Sequence, residues 1–587
     1  MKHLNNVPLI LGIYSKDGNS CPVLSEYQES IIFSNQKKSL IIYQINSSKY
    51  IYHLSDRYEI LFMVGSVFYP VYLPSDAAGT EENLKILAHP NIKEIEGNFI
   101  GVRYFKTGKD HYELQLFTDP FGTRMFLYYE TGEWLFFSTG IQGIELLLNR
   151  HMPPLSKNAL FHYYHFGFTQ SEATLFENIK KIPAGTILKC KQNKIIKEKY
   201  YDVLDLFDVS GEKTDSEYGY ARKIDDLMAK AISKRNPTQK TAAVCLSGGV
   251  DSGYIAKKLL ENNIKTIGYN LAYGDCYDEF DRVDGFSKLS SLEVVKIKAN
   301  EEELIEHMEE ANRISSQPVN FNEAAMWLLA KRIKADGFDE VWDGDGADRL
   351  FFGMNRQSLY LKTIKLYKFL KYTGLISLFT NLLKLGKSRE LIKLYILFKN
   401  WQNGIPPFPE RKLPNHYNVD LERMVFEIGI KSYWDKFTGI KAGRQILDYF
   451  TFQSISMCPE MFFYNPADLQ LAIGTIPVSP YWDKELVKLA ACIPPNLKIK
   501  RDHTKYILRR AASLNGNKKY WFLPKIGLQS AYKFVIQTPK GKEWYQKVIG
   551  EIIGSEEYEM LNQIMGKTIG NLDIDKLVPL TLWKKNF

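Results

Sequence analysis

Cysteine is scarce in this sequence: there are six, at positions 21, 190, 245, 276, 458 and 492, far apart and with no Cys-x-x-Cys pair. That argues against both a disulfide framework and a cysteine-built zinc site. No apolar run reaches the length that spans a bilayer, and the opening Met-Lys-His-Leu-Asn-Asn leads into no apolar secretory segment. A cytoplasmic protein without a transmembrane segment is therefore expected. A dominant charge is missing too. The net charge of +9 is spread over 587 residues, so no nucleic-acid partner is called for, and ATP or other anionic ligands suit the mild excess equally well. What the chain does have is apolar content, 45% hydrophobic and 13% aromatic, enough for at least two sizeable cores and hence two domains.

The most informative stretch is Cys245-Leu-Ser-Gly-Gly-Val-Asp-Ser252. Thr241 to Leu246 has the length and composition of a buried strand, and Tyr254 to Leu260 has helical spacing. Ser247, Gly248 and Gly249 then fall between a strand end and a helix start. Two glycines there let backbone amides approach an anion, and the helix dipole favours negative charge. Ser247 and Ser252 carry hydroxyl donors, and Asp251 is a hard oxygen ligand suited to Mg²⁺ held against phosphate. An ordinary strand-to-helix turn also carries glycine pairs. The run resembles the pyrophosphate loop of the ATP pyrophosphatases. Later motifs narrow the resemblance to the asparagine synthetase superfamily, which includes β-lactam synthetases and lasso-peptide macrolactam cyclases. The resemblance makes Leu246, Ser247, Gly248, Gly249, Asp251 and Ser252 candidates for holding ATP.

Residues 1–205 read mostly as strands, at Leu9 to Ser15, Ser39 to Gln44, Ile100 to Phe105, Tyr112 to Thr118, Leu135 to Ser138 and Thr186 to Lys191, with helical patterns at Thr80 to Leu87 and Ile141 to Asn149. The order Leu11-Gly-Ile-Tyr14, Asp119-Pro-Phe-Gly-Thr-Arg124, Tyr128-Tyr129 and Lys181-Ile-Pro-Ala-Gly185 resembles the N-terminal glutaminase domain of asparagine synthetases, a layered α+β fold of the N-terminal-nucleophile type. Active members carry a cysteine directly after the initiator Met, and its own α-amine activates the thiol. Here Lys2 stands in that place, and aligning the first strand puts Pro8 there. Cys21 is internal, and the family's Arg-Gly-Pro-Asp run near bound glutamine has no counterpart. The expectation is a domain that does not hydrolyse glutamine and serves as scaffold or docking surface.

Residues 206–587 open with a polar stretch and a helix from Glu217 to Ser233. Then come strands at Lys265 to Leu271, Glu293 to Ile297 and Glu340 to Trp342. Helices around Asp281 to Ser290, Glu301 to Arg313 and Asn322 to Ala335 lie between them. This alternation predicts a doubly wound parallel sheet with ligands beyond the strands' C-terminal ends. Asp343-Gly-Asp-Gly-Ala-Asp-Arg349 falls at the same edge as Asp251. Its carboxylates call for a cation, an acidic helix-capping turn being the plainer alternative. It resembles the family's Ser-Gly-Glu-Gly-x-Asp-Glu pattern. By that match Asp348 is the second metal ligand beside Asp251, Gly344 and Gly346 adjoin the nucleotide, and Asp345 replaces the glutamate that polarises or deprotonates the nucleophile. Asp is shorter by about 1.5 Å of reach, and Arg349 stands where Glu is usual.

Residues 354–440 form an insertion that matches no familiar pattern. Tyr360 to Leu385 and Ser388 to Trp401 read as lysine-rich amphipathic helices, followed by a proline-rich break. Solvated lysines on helices packed by their apolar side are the favoured reading; a docking surface for peptide, protein or membrane is the sharper alternative. Further on, Asn465 to Leu489, Ile493 to Lys498 and Lys505 to Arg510 resemble the helical C-terminal part of asparagine synthetases. Leu523-Pro-Lys-Ile-Gly-Leu-Gln529 aligns with the loop bearing the family's catalytic lysine, which makes Lys525 the candidate for neutralising phosphate charge.

The resemblance implies an ATP- and Mg²⁺-dependent ligase that adenylates a carboxylate, expels pyrophosphate and passes the acyl group to an amine. Its substrate would be a peptide closed into a macrolactam, with a precursor peptide and its protease as partners, or aspartate with ammonia. A non-catalytic ATP-binding scaffold is the alternative from another class. A homo-oligomer is compatible with the sequence.

Overall fold

Alternating apolar strands before Tyr200 pair into two six-stranded sheets. One runs Ile179–Lys181, Leu127–Glu130, Trp134–Ser138, Leu9–Ser15, Leu40–Ile45, Ile31–Ser34; the other runs Lys194–Lys199, Thr186–Lys191, Tyr112–Thr118, Glu96–Lys106, Ile60–Tyr69, Ile51–Ser55. Every ladder in them is antiparallel. The computed structural model describes residues 8–587 apart from 36, 47, 56–58, 70–91, 109–110, 192–193, 208–214, 236–239, 275–279, 387, 407–417, 439–445, 502, 525–529 and 566–573. The helix expected at Thr80 to Leu87 lies outside the described residues. The edge strand Lys194–Lys199 escaped the sequence reading because its charged residues mask the alternation, as suits an edge. The helix Lys157–Phe166 did too, although Ser156 caps it through Ala159 N–H and Gly167 ends it at φ +84°.

The second region winds around a five-stranded parallel sheet in the order Glu293–Ala299, Lys265–Tyr273, Thr241–Cys245, Glu340–Trp342, Ile476–Val478. The chain runs outward on one side of Thr241–Cys245 before returning on the other. That order opens a crevice between Thr241–Cys245 and Glu340–Trp342 at their C-terminal ends. Both chemical motifs emerge there. The edge strand Ile476–Val478 falls inside the stretch Asn465 to Leu489 that the sequence pattern assigns to a helical part. It has three residues and a central proline, so no periodicity announces it. Similarly, the single helix expected from Tyr360 to Leu385 is two, Asn355–Tyr372 and Ile376–Lys384, because Gly374 turns the chain at φ +71°.

One contiguous apolar core runs through both regions, with Trp342 fully buried on the parallel sheet. Polar ties cross between them: Tyr50 OH donates to Asp339 O at 2.7 Å, and Gln142 Nε2 donates to Ile314 O at 2.9 Å. Lys234 meets Glu96 and Asp483 at 2.9 and 3.2 Å.

Candidate functional site

The strand Thr241–Cys245 ends, the chain turns through Leu246–Gly249, and the helix Val250–Glu261 begins with Gly249 at its N-cap. Gly248 sits at φ +66°, and a Cβ there would lie 2.6 Å from the Arg282 side chain. Only glycine meets both demands. The two serines tie the loop to the helix, since Ser247 N–H donates to Ser252 Oγ at 3.1 Å and the hydroxyls lie 3.3 Å apart. The helix dipole is thus presented on a rigid turn.

The second motif follows Glu340–Trp342 and lies against the first. A Cβ on Gly344 would be 2.9 Å from Ser252 N, so the absence of a side chain permits this approach. Asp251 Oδ2 and Asp348 Oδ1 both accept from the ammonium of Lys505, which is almost wholly buried. Lys505 holds a left-handed backbone at φ +55°, a conformation uncommon for a side-chain-bearing residue, at the start of the helix Tyr506–Ala512. Burial alone would lower its pKa, but the two carboxylates outweigh that and leave it raised. Tyr481 OH donates to Asp251 O at 3.0 Å.

Beneath the loop is a small cavity of about 60 Å³ lined by Ser247, Gly248, Gly249, Asp251, Arg282, Lys505 and Arg509. Three cations therefore face the glycine turn. Arg282 Nη2 donates to Pro524 O at 2.6 Å and Arg509 Nη1 to Leu523 O at 3.1 Å. These bonds hold the segment leading to Lys525 beside the loop; Lys525 itself lies outside the described residues. Arg282, Lys505 and Arg509 were given no role from sequence. Lys505 and Arg509 sit in a run picked out only for its resemblance, and no local signal marks Arg282.

On the other side of the loop opens a cavity of about 520 Å³, lined by Leu246, Ser247, Asp251, Ser252, Asp343, Gly344 and Asp345 on one wall. Asn270, Glu323 and Trp327 contribute another wall, and Met461, Phe462, Phe463 and Pro466 a third, mostly apolar one. Met461–Phe463 come from a single π-helical turn, Pro459–Phe463, a distortion frequent at functional sites. Gly346 packs behind the motif against Trp482, at φ +95°. Asp345 N–H donates to Asp343 Oδ1 at 3.0 Å, and Ser479 Oγ–H donates to Asp345 O at 2.6 Å. Burial pushes the Asp345 carboxyl up to about 6 against the pull of the Arg349 guanidinium, and burial with the neighbouring Asp345 charge pushes Asp343 to about 8. Arg349 lies 4.0 Å from the Phe462 ring centroid, so the residue that departs from the family pattern is built into this wall.

The antiparallel region also reaches this cavity through Asn98, Thr123 and Arg124. The turn that carries two of them is held by Asp119, whose carboxylate accepts from Phe121 N–H at 2.8 Å, Thr123 N–H at 2.9 Å and Thr123 Oγ–H at 2.6 Å. Phe121 packs on Trp482 with ring centroids 5.7 Å apart. Arg124 Nε donates to Asn98 O at 3.4 Å, and among the described residues its other nitrogens have no hydrogen-bond partner. In the sequence this turn shows a resemblance but no sign of a place in the site.

Comparison with known proteins follows the same division. The asparagine synthase family model matches residues 223–549, and a glutamine amidotransferase domain model matches residues 89–201. Asparagine synthetase (glutamine-hydrolyzing) 1 of Bacillus subtilis is 23% identical over 412 residues, 67% of this chain and 62% of that protein. A putative asparagine synthetase (glutamine-hydrolyzing) of Mycobacterium tuberculosis is 21% identical over 415 residues, 68% of this chain and 61% of that protein. The chain thus spans less than two thirds of the length of either relative. An NMN synthetase structure from Francisella tularensis is similar over 40% of this chain and 99% of that one, at 14% identity and a TM-score of 0.20, too slight a likeness to support any step below.

Proposed function

The chain belongs to the asparagine synthase family, and from that premise we propose that it is an ATP-dependent amide ligase. With ATP as a substrate, a carboxylate oxygen attacks the α-phosphorus and pyrophosphate leaves; an amine nitrogen then attacks the acyl carbon, loses a proton, and AMP leaves. The observation that carries this reading is the convergence of Asp251 and Asp348 on Lys505 at the glycine turn, with the larger cavity opening beside Asp345.

The turn Ser247–Gly249 and the cations of Lys505, Arg282 and Arg509 receive the pyrophosphate, with Lys525 as a further proposed cation. Mg²⁺ suits Asp251 and Asp348: both already meet one cation, and both offer hard oxygens. When bound it would neutralise charge on the leaving pyrophosphate. Asp345, its carboxyl raised by burial, is the proposed acceptor for the amine's proton. Leu246, Ser252, Gly344 and Gly346 shape the nucleotide's wall. Arg124, which lines the cavity, offers its guanidinium to a carboxylate or carbonyl of the acyl substrate.

The apolar wall of Met461, Phe462, Phe463 and Trp327 supports a substrate that buries side chains, namely a peptide whose Asp or Glu side chain is joined to its own N-terminal amine. A precursor peptide and the protease that frees that amine are the implied partners. The names of the curated relatives favour a second reading, amidation of aspartate with ammonia. Neither needs glutamine hydrolysis. Cys21 is buried, its thiol donates to Ile13 O at 3.3 Å, and burial pushes its pKa up to about 12, the opposite of an activated nucleophile. Pyrophosphate release from ATP decides between the substrates, comparing aspartate plus ammonium with peptides bearing an internal Asp or Glu. Release only with a peptide supports ring closure, release with aspartate supports the second reading, and silence with both overturns the ligase.

A further inference from the structure

The helices Asn355–Tyr372 and Ile376–Lys384 do not simply pack their apolar side and solvate the rest. Leu370 and Leu383 turn inward and form a small separate core with Phe398 of the helix Arg389–Gln402. A second apolar set turns outward. Phe369, Tyr372, Leu378, Leu382 and Leu385 are 58 to 91% exposed, at helical spacing across both elements. Lys362, Lys365, Lys368 and Lys371 are exposed beside them. Between Asp348 and Glu390 the sequence has nine Lys or Arg and no acidic residue. Isolated exposed leucines are commonplace; five large exposed apolar side chains in an acid-free basic segment are not.

We propose that this helical pair is a membrane-surface dock, laid on an anionic bilayer with Phe369, Tyr372, Leu378, Leu382 and Leu385 in the headgroup boundary and the lysines on lipid phosphates. The side chains project rather than line a recess, so they enter something deformable instead of receiving a ligand. Unbroken positive charge selects an anionic surface, and the long lysine stems let their ammonium groups reach the headgroups while the apolar set inserts. Among the described residues no helix is long and apolar enough to cross a membrane, so the contact is interfacial. The surface is built from residues outside the ligase site, and the inference stands apart from that reading.

Flotation of the full chain with vesicles tests it. The protein should rise with vesicles of phosphatidylcholine and phosphatidylserine, stay behind with phosphatidylcholine alone, and be released by salt. Replacing Lys365, Lys368 and Lys371 by Gln should weaken partition roughly a hundredfold. The pair Leu378→Ser and Leu382→Ser should weaken it at least tenfold, roughly, by removing inserted apolar area. Both variants change exposed side chains and should keep the parent's melting temperature and solution activity. The proposal is overturned if the wild type ignores anionic vesicles at low salt, or if both variants bind as well as the wild type. It also falls if vesicles are ignored while Leu378→Ser with Leu382→Ser splits an oligomer, which would assign the surface to a second copy of the chain.

Discussion

At the residue scale, the proposed chemistry concentrates on one buried cation between two carboxylates. Asp251→Asn, Asp348→Asn and Lys505→Met should each lower pyrophosphate release at least a hundredfold, roughly, because the asparagines remove the carboxylates that would hold Mg²⁺ and the methionine removes a cation facing the leaving group. Lys505→Met also removes the buried cation that both carboxylates meet, at a cost of about 3 kcal/mol, so its melting temperature should fall as well. Full activity in the two asparagine variants would remove Asp251 and Asp348 from the site. Glu323 makes a different prediction. Burial raises its carboxyl to about 7, even with Asn320 and Asn465 donating to it. The folded state therefore holds a proton that the unfolded chain has already released above the usual glutamate range. Its contribution to stability is full below about pH 4.5 and is lost as pH rises through about 7, amounting to about 2 kcal/mol after allowance for water reaching it from the cavity. Denaturant titrations should show stability falling over that window in the wild type and a flatter profile in Glu323→Gln; parallel profiles would refute the assignment. Asp251 and Asp348 were legible because small motifs carry their chemistry in order. Lys505, Arg282 and Arg124 were not, since a lone cation in a sequence carries no sign of what it will face.

At the element scale, two helices share one capping device for different ends. Asn300 caps Glu301–Ile314 and Asn320 caps Phe321–Ala335, each with a glutamate three residues on closing the box. Asn300→Ala and Asn320→Ala should each cost about 1 kcal/mol in thermal or denaturant unfolding. Asn320 also lines the large cavity and donates to Glu323, so only its variant should weaken substrate use as well. Equal activity in the two variants would place Asn320 outside the site. Most elements of the parallel sheet were visible because strand and helix periods alternate along the chain. The break at Gly374 and the strand Ile476–Val478 were not: a single glycine interrupts a continuing amphipathic pattern, and a three-residue strand has too few positions to show a period.

At the scale of the whole molecule, the antiparallel region shares a core with the parallel-sheet region and contributes Arg124 to its cavity. Under the proposed function it is a wall of the site that has no need to process glutamine. Cys21→Ala should leave ammonia- or peptide-dependent pyrophosphate release within about twofold of wild type, a change below ~0.5 kcal/mol, and neither protein should release glutamate from glutamine. Selective loss of glutamine use in the variant would restore a glutaminase role. Arg124→Ala, by contrast, should raise the KM for the acyl substrate about tenfold or more through loss of a charge-assisted contact, and an unchanged KM would remove it from the site.

By itself the sequence determined the parallel sheet and the two acidic glycine motifs at its edge. Each of these rests on short-range pattern: periodicity, glycine placement and carboxylates a few residues apart. Only the tertiary structure decided which cations meet those motifs, that the amidotransferase-like turn walls the larger cavity, and that the leucines of the insertion face outward. These depend on residues brought together from distant parts of the chain, and on which side of a helix finds a partner. A burial pattern along one helix does not say whether a neighbour exists to cover it, and a lysine's charge acquires a role only when folding sets two carboxylates around it.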